Sequence, residues 1–130
     1  MAKVTAWAHL PNAAHIDTVL EDARVRPEVW SVARIKAWDV ARDAARDAAR
    51  IKARDAVRSA AWGAAWDAAW SVMRALIAWD AIRALIAWDE SAALLDLTPD
   101  ALRTIIDVAD GDVKHQAVLL LPAVIARGVK

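Results

Sequence analysis

Trp30-Ser-Val-Ala-Arg34-Ile-Lys-Ala-Trp38-Asp-Val-Ala-Arg42-Asp-Ala-Ala-Arg46-Asp-Ala-Ala-Arg50 opens a four-residue repeat that runs on to Met73. Its leading positions continue as Arg54, Arg58, Trp62, Trp66 and Trp70, each followed mostly by a small or polar residue and then by Ala or Val. Alanine and arginine are strong helix formers, and no proline occurs between Pro27 and Pro99, so the stretch reads as helix. Four residues advance about 400° around a helix, so the repeated stripe drifts by about 40° per tetrad and winds around the axis. One unbroken helix from Glu28 to Leu95 would measure about 100 Å, too long for a compact domain of this size. The reading therefore requires a break. Gly63 is the first place for one, and the neighbourhood of Trp79 and Asp80 is the second.

Working outward, a second repeat follows the first. Arg74 to Asp80 and Arg83 to Asp89 both spell Arg-Ala-Leu-Ile-Ala-Trp-Asp, nine residues apart. Expansion of short DNA repeats would produce both patterns without any functional selection. The apolar residues from Val72 to Trp88 fall at all angles around a helix, which marks a central, buried segment. On the amino-terminal side, Asn12 is placed to cap a helix through about Arg24, carrying Ile16, Val19 and Leu20 on one face. Pro27 then starts the repeat helix, with Glu28 in its first turn. On the carboxy-terminal side, Thr98-Pro99-Asp100 is a helix start, Gly111 a stop, and Asp112 the cap of a last helix that kinks at Pro122 and closes before Gly128. The expectation is an all-α domain spanning 1–130, a compact bundle of about five or six helices around a central apolar one. Its parts are a tetrad-repeat region (28–73), the nine-residue-offset repeat (74–89) and a carboxy-terminal helical pair (98–127).

Composition narrows the chemistry. The 130 residues include 17 basic and 17 acidic side chains, eight Trp and no Cys, Tyr or Phe. Disulfides, thiolate zinc sites and cysteine nucleophiles are thereby excluded. The hydrophobic fraction is 58%, but much of it is alanine, so bulk must come from Leu, Ile, Val and Trp. A neutral balance argues against general nucleic-acid binding. The first residues lack a signal-peptide pattern, and the strongest apolar run, Ala117 to Ala126, is too short to span a bilayer. A cytoplasmic location without membrane association is expected. The preference for Asp over Glu and Arg over Lys suits a natural gene of GC-rich origin better than an idealised design.

The segments Ser59-Ala-Ala-Trp-Gly-Ala-Ala-Trp-Asp-Ala-Ala-Trp70, Leu94-Leu-Asp-Leu-Thr-Pro-Asp-Ala-Leu102 and Ala117-Val-Leu-Leu-Leu-Pro-Ala-Val-Ile-Ala126 resemble small alanine-rich phage and bacterial proteins with Ser-Ala-Ala-Trp-type repeats. Some of those are labelled putative immunity proteins. The resemblance implies helices and a role in genetic conflict, within a host cell cytoplasm if the gene is phage-encoded, and it brings no catalytic residues.

Charge is unevenly spread. Between Glu28 and Ala61, eight basic side chains face five acidic ones, a local balance of +3. Between Asp89 and Asp112, seven acids face Arg103 alone, a balance of −6. Such halves are able to dock within one chain or between chains. Asp39 with Arg42, and the equivalent pairs further along, read first as a solvated helix face and alternatively as an anion site. Trp62, Trp66 and Trp70 read as core or interface anchors, with a base-stacking surface as the alternative. Within the apolar segment, Arg74, Asp80 and Arg83 need partners or a ligand. Together with Trp79 and Trp88 they form the candidate ligand site. His9, His15 and His115 lack metal-ligand spacing, and no phosphate loop, zinc-protease motif or nucleophile elbow occurs.

The leading expectation is a non-catalytic helical interaction protein, without cofactor or metal, that self-associates as a homo-oligomer or meets a protein partner. The alternative is a sequestering protein for a small nucleotide signal, using Arg for phosphate and Trp for the base. An enzyme comes third.

Overall fold

The computed structural model describes residues 7–8, 10–48 and 78–129. Among them the chain is all-α: α1 (Ala13–Val25), α2 (Pro27–Ala48), α3 (Trp79–Ala87), a 3₁₀ helix (Asp89–Asp96), α4 (Pro99–Val108) and α5 (Gly111–Gly128). No helix among these residues is long and apolar enough to cross a membrane. The repeat beyond Ala48, the break at Gly63, the tryptophans Trp62, Trp66 and Trp70, and Arg74 all lie outside the described residues.

Two apolar helices share the centre where the sequence suggested one. In α3 the side chains of Ala81, Ile82, Ala84, Leu85, Ile86 and Ala87 are all buried, as the all-round apolar pattern requires. Helix α5 is buried continuously from Gln116 to Ala126 and packs against α2, α3, α4 and the 3₁₀ helix. Helix α2 meets it through Trp30, Ala33 and Ala37, an inner stripe at spacings of three and four. Two alanines in that stripe let the helix axes approach closely, because the interaxial distance follows the size of the side chains between them.

The helix boundaries follow local signals with three exceptions. Pro27 is the first residue of α2, and Thr98 caps α4 by accepting a hydrogen bond from the Ala101 amide at 3.1 Å, with Pro99 at the first helical position. Gly111 differs: α4 already ends at Val108, and Gly111 opens α5 at φ +68° after Asp110, which takes the cap position expected of Asp112. Open space surrounds this glycine, so it is the left-handed backbone and not crowding that favours it. The close of α5 also differs, since the helix includes Gly128 where the sequence suggests a stop before it.

The third exception is Asn12. It occupies the cap position of α1 but makes no capping hydrogen bond. Its buried amide instead donates to the carbonyls of Leu85 and Trp88, at 3.0 and 3.1 Å. The last carbonyls of a helix have no partner within it, and at the buried end of α3 water is not available to serve them. Ser91 acts in the same way, its hydroxyl donating to the Ala84 carbonyl at 2.9 Å. Buried polar side chains thus close the end of α3 and tie it to α1 and the 3₁₀ helix. Replacing Asn12 by alanine removes both bonds, although the Trp88 carbonyl still accepts from the Ser91 amide at 3.1 Å, and is expected to cost about 1 to 3 kcal/mol in urea unfolding. Asn12→Asp is expected to cost at least as much at neutral pH, because a carboxylate repels those oxygens, and to recover part of the loss in acid, where the protonated group donates again. Equal stability of Asn12→Ala and the parent would show that the amide contributes nothing.

A second joint lies at the opposite termini. Arg26, between α1 and α2, pairs with Asp22 through Nε and Nη2, both at 2.9 Å. It also donates to the carbonyls of Ala126 and Val129 at the end of α5. A cation there serves orphan carbonyls and meets the negative end of the helix dipole. The Trp30 indole N–H donates to the same Asp22 carboxylate at 2.8 Å. Burial pushes the Asp22 carboxyl up, but the hydrogen bonds from Arg26 and Trp30 and the positive charges of Arg26 and Arg127 outweigh it, so the group titrates below the ordinary aspartate range.

A candidate binding cleft between α2, α3 and α5

The same stripe that seats α2 on α5 fixes what stands beside it. With Trp30, Ala33 and Ala37 turned inward, Arg34, Ile35 and Trp38 take the positions along the flank of α2. Ile35 is 64% exposed and Trp38 46%, high values for large apolar side chains. Asp80 and Arg83 lie three apart at the start of α3 and therefore share one helix face, which is half-buried. Val118, Leu119 and Pro122 occupy one face of α5.

These surfaces meet in a cleft of about 460 Å³, lined among the described residues by Arg34, Ile35, Ala37, Trp38, Asp80, Arg83, Val118, Leu119 and Pro122. The lining residues Ala37, Val118, Leu119 and Pro122 are buried and apolar, and two arginines, one aspartate and one tryptophan line the cleft with them. The lining holds one positive charge in excess, two arginines against one aspartate. Arginine stays protonated at any physiological pH and presents a planar fork of donors suited to phosphate or carboxylate. Pro122, which has no N–H to donate to the Val118 carbonyl four residues before it, lines the cleft with Val118.

The candidate ligand residues read from the sequence separate in space. Asp80 and Arg83 stand together on the cleft. Trp79 is half-buried and packs against the core beside it, without lining the cleft. Trp88 is 1% exposed, at the end of α3, and belongs to the core. Its place is a packing position, because the chain turns there into the 3₁₀ helix and encloses the indole. In the sequence Arg34 and Trp38 stand as ordinary members of the repeat. The available signal was their spacing of four, which puts a cation and an indole on one flank. Nothing local ties that flank to Asp80 and Arg83, more than forty residues later.

His15 on α1 is exposed and His115 on α5 is half-buried, and neither lines the cleft. Asp80 is the one carboxylate that lines the cleft among the described residues. Comparison with protein-family models, with curated proteins and with solved structures finds no match for this chain.

Proposed function

We propose that the protein is a non-catalytic binding protein and that the cleft between α2, α3 and α5 is where it binds. The observation that carries this reading is the exposed Trp38 indole beside Arg34 and Arg83 over an apolar floor. A volume of about 460 Å³ lies within the range of small-molecule sites, which pair apolar walls with a few convergent polar groups. Guanidinium groups hold a ligand but are poor at moving protons, and no histidine lines the cleft among the described residues. The setting we propose is the cytoplasm, that of a host cell if the gene is phage-borne, as the resemblance of the tryptophan tetrads implies.

A thermal-shift screen tests the reading with small organic anions, cations and neutral aromatics. A ligand present at about a hundred times its Kd stabilises the folded state by about 2.7 kcal/mol, which is readily seen as a rise in Tm. At least one class is expected to raise the Tm of the parent and not of Trp38→Ala. If no class does so, the cleft is not a binding site.

A second reading rests on the solvent side of α2, where Val32, Ile35 and Trp38 are 51%, 64% and 46% exposed at spacings of three. Such a ridge suits helix-to-helix contact, and self-association through it is the form of partnership we propose. Light scattering at about 14 kDa over a wide concentration range would remove this reading.

A further inference from the structure

We infer that the occupant of the cleft is a small nucleotide, with Trp38 stacking on the base and Arg34 and Arg83 holding the phosphate. This rests on the reading of the cleft as a binding site and goes further by naming the ligand class. Four groups around the cleft make different demands, and their combination selects the ligand. The two guanidiniums favour an anion, preferably one with several oxygens placed for fork-shaped donation. Compact inorganic phosphate meets that demand but leaves the indole and the apolar floor uncovered. Trp38 offers a flat face, and an aromatic ring stacked on it removes apolar surface from water on both sides. Val118, Leu119, Pro122 and Ala37 extend that apolar surface beneath it.

The remaining group is an acceptor, the Asp80 carboxylate, which lines the cleft with the arginines. An acceptor next to an anion site calls for a ligand that also carries donors, such as sugar hydroxyls or the amino group of a base. A plain aromatic acid satisfies the arginines and the indole but supplies no such donors. A nucleoside phosphate supplies anion, flat ring and donors in one molecule, at a size that suits about 460 Å³.

Isothermal calorimetry with AMP, GMP, CMP and UMP tests the inference, with the four matching nucleosides, ribose 5-phosphate and inorganic phosphate as fragments. At least one nucleotide is expected to bind, with each of its fragments about tenfold or more weaker, since each lacks the stacking or the charge-assisted contribution. Trp38→Ala is expected to weaken that nucleotide by about fivefold to a hundredfold, the range for loss of one stacked base. Arg34→Ala is expected to weaken it by about tenfold or more and to flatten its salt dependence, and Arg34→Lys to restore only part of the affinity. Arg34 and Trp38 are exposed, and unchanged circular dichroism will show that both variants fold.

Absence of binding by all four nucleotides at millimolar concentration overturns the inference. So does binding that both variants leave untouched, because the nucleotide then sits elsewhere. If the thermal-shift screen finds a Trp38-dependent ligand of another class while nucleotides fail, the ligand assignment falls and the binding cleft stands. If a nucleotide binds and is converted to product, the non-catalytic reading falls and the cleft assignment stands.

Discussion

Trp30→Ala is expected to lower the unfolding free energy by about 3 to 5 kcal/mol, the range for removing a buried tryptophan and leaving most of its volume empty. The side chain is fully buried, and among the described side chains of α2 it is the only bulky one in the buried stripe by which that helix seats on α5. Its two companions, Ala33 and Ala37, have no atoms to move into the space. A domain of this size has about 5 to 15 kcal/mol in total, so the variant will lose a large share of its margin. The urea midpoint should fall with little change in slope. A loss under about 1 kcal/mol would mean that Trp30 is not the anchor of this contact.

Trp30→Phe keeps an aromatic ring and most of the volume but loses the indole N–H to Asp22, with an expected cost of about 1.5 to 3 kcal/mol for a bond to a charged group in addition to the smaller packing loss. The pH dependence follows from the Asp22 shift. A carboxylate whose folded-state pKa lies below its unfolded value adds stability that is fully present above the unfolded value, and that is lost as pH falls through the folded one. The difference between parent and Trp30→Phe should therefore be constant near neutrality and narrow below about pH 4, the ordinary aspartate value. A gap that is unchanged in acid would show that the cost is packing alone.

Leu120→Ala carries the other large effect. Leu120 is fully buried midway along α5, the helix against which α2, α3, α4 and the 3₁₀ helix all pack. A cavity there is bounded by several elements at once, so collapse of any one of them fills little of it. The expected cost is about 2 to 5 kcal/mol. Val113, on the same helix but 50% exposed, provides the comparison, and Val113→Ala is expected to stay within about 0.5 kcal/mol of the parent. Similar midpoints for the two variants would show that α5 does not occupy the centre.

The parts of this fold that were readable in the sequence are those governed by neighbours within one turn of helix. Pro27, Thr98 and Pro99 act on backbone groups three or four residues away, and all three start helices where expected. The apolar character of Ala78 to Trp88 on every side required burial whatever the partner, and these residues are buried except for Trp79, Asp80 and Arg83, which are half-buried. Asn12 and Gly111 depart from their local signals for a single reason. Each signal points to the residue's own helix end, whereas Asn12 serves the end of α3 and Gly111 shapes the entry to α5.

What the sequence determined by itself is therefore the helical class, the apolar faces and the absence of cysteine chemistry, because propensity, period and composition are local properties. Tertiary structure alone decided that α5 shares the centre, that Trp88 is packed in the core, and that Arg34 and Trp38 face the same cleft as Asp80 and Arg83. Those outcomes depend on which faces meet across more than forty residues of chain. A repeat that presents similar tetrads along its whole length carries no local mark of which tetrad will be met.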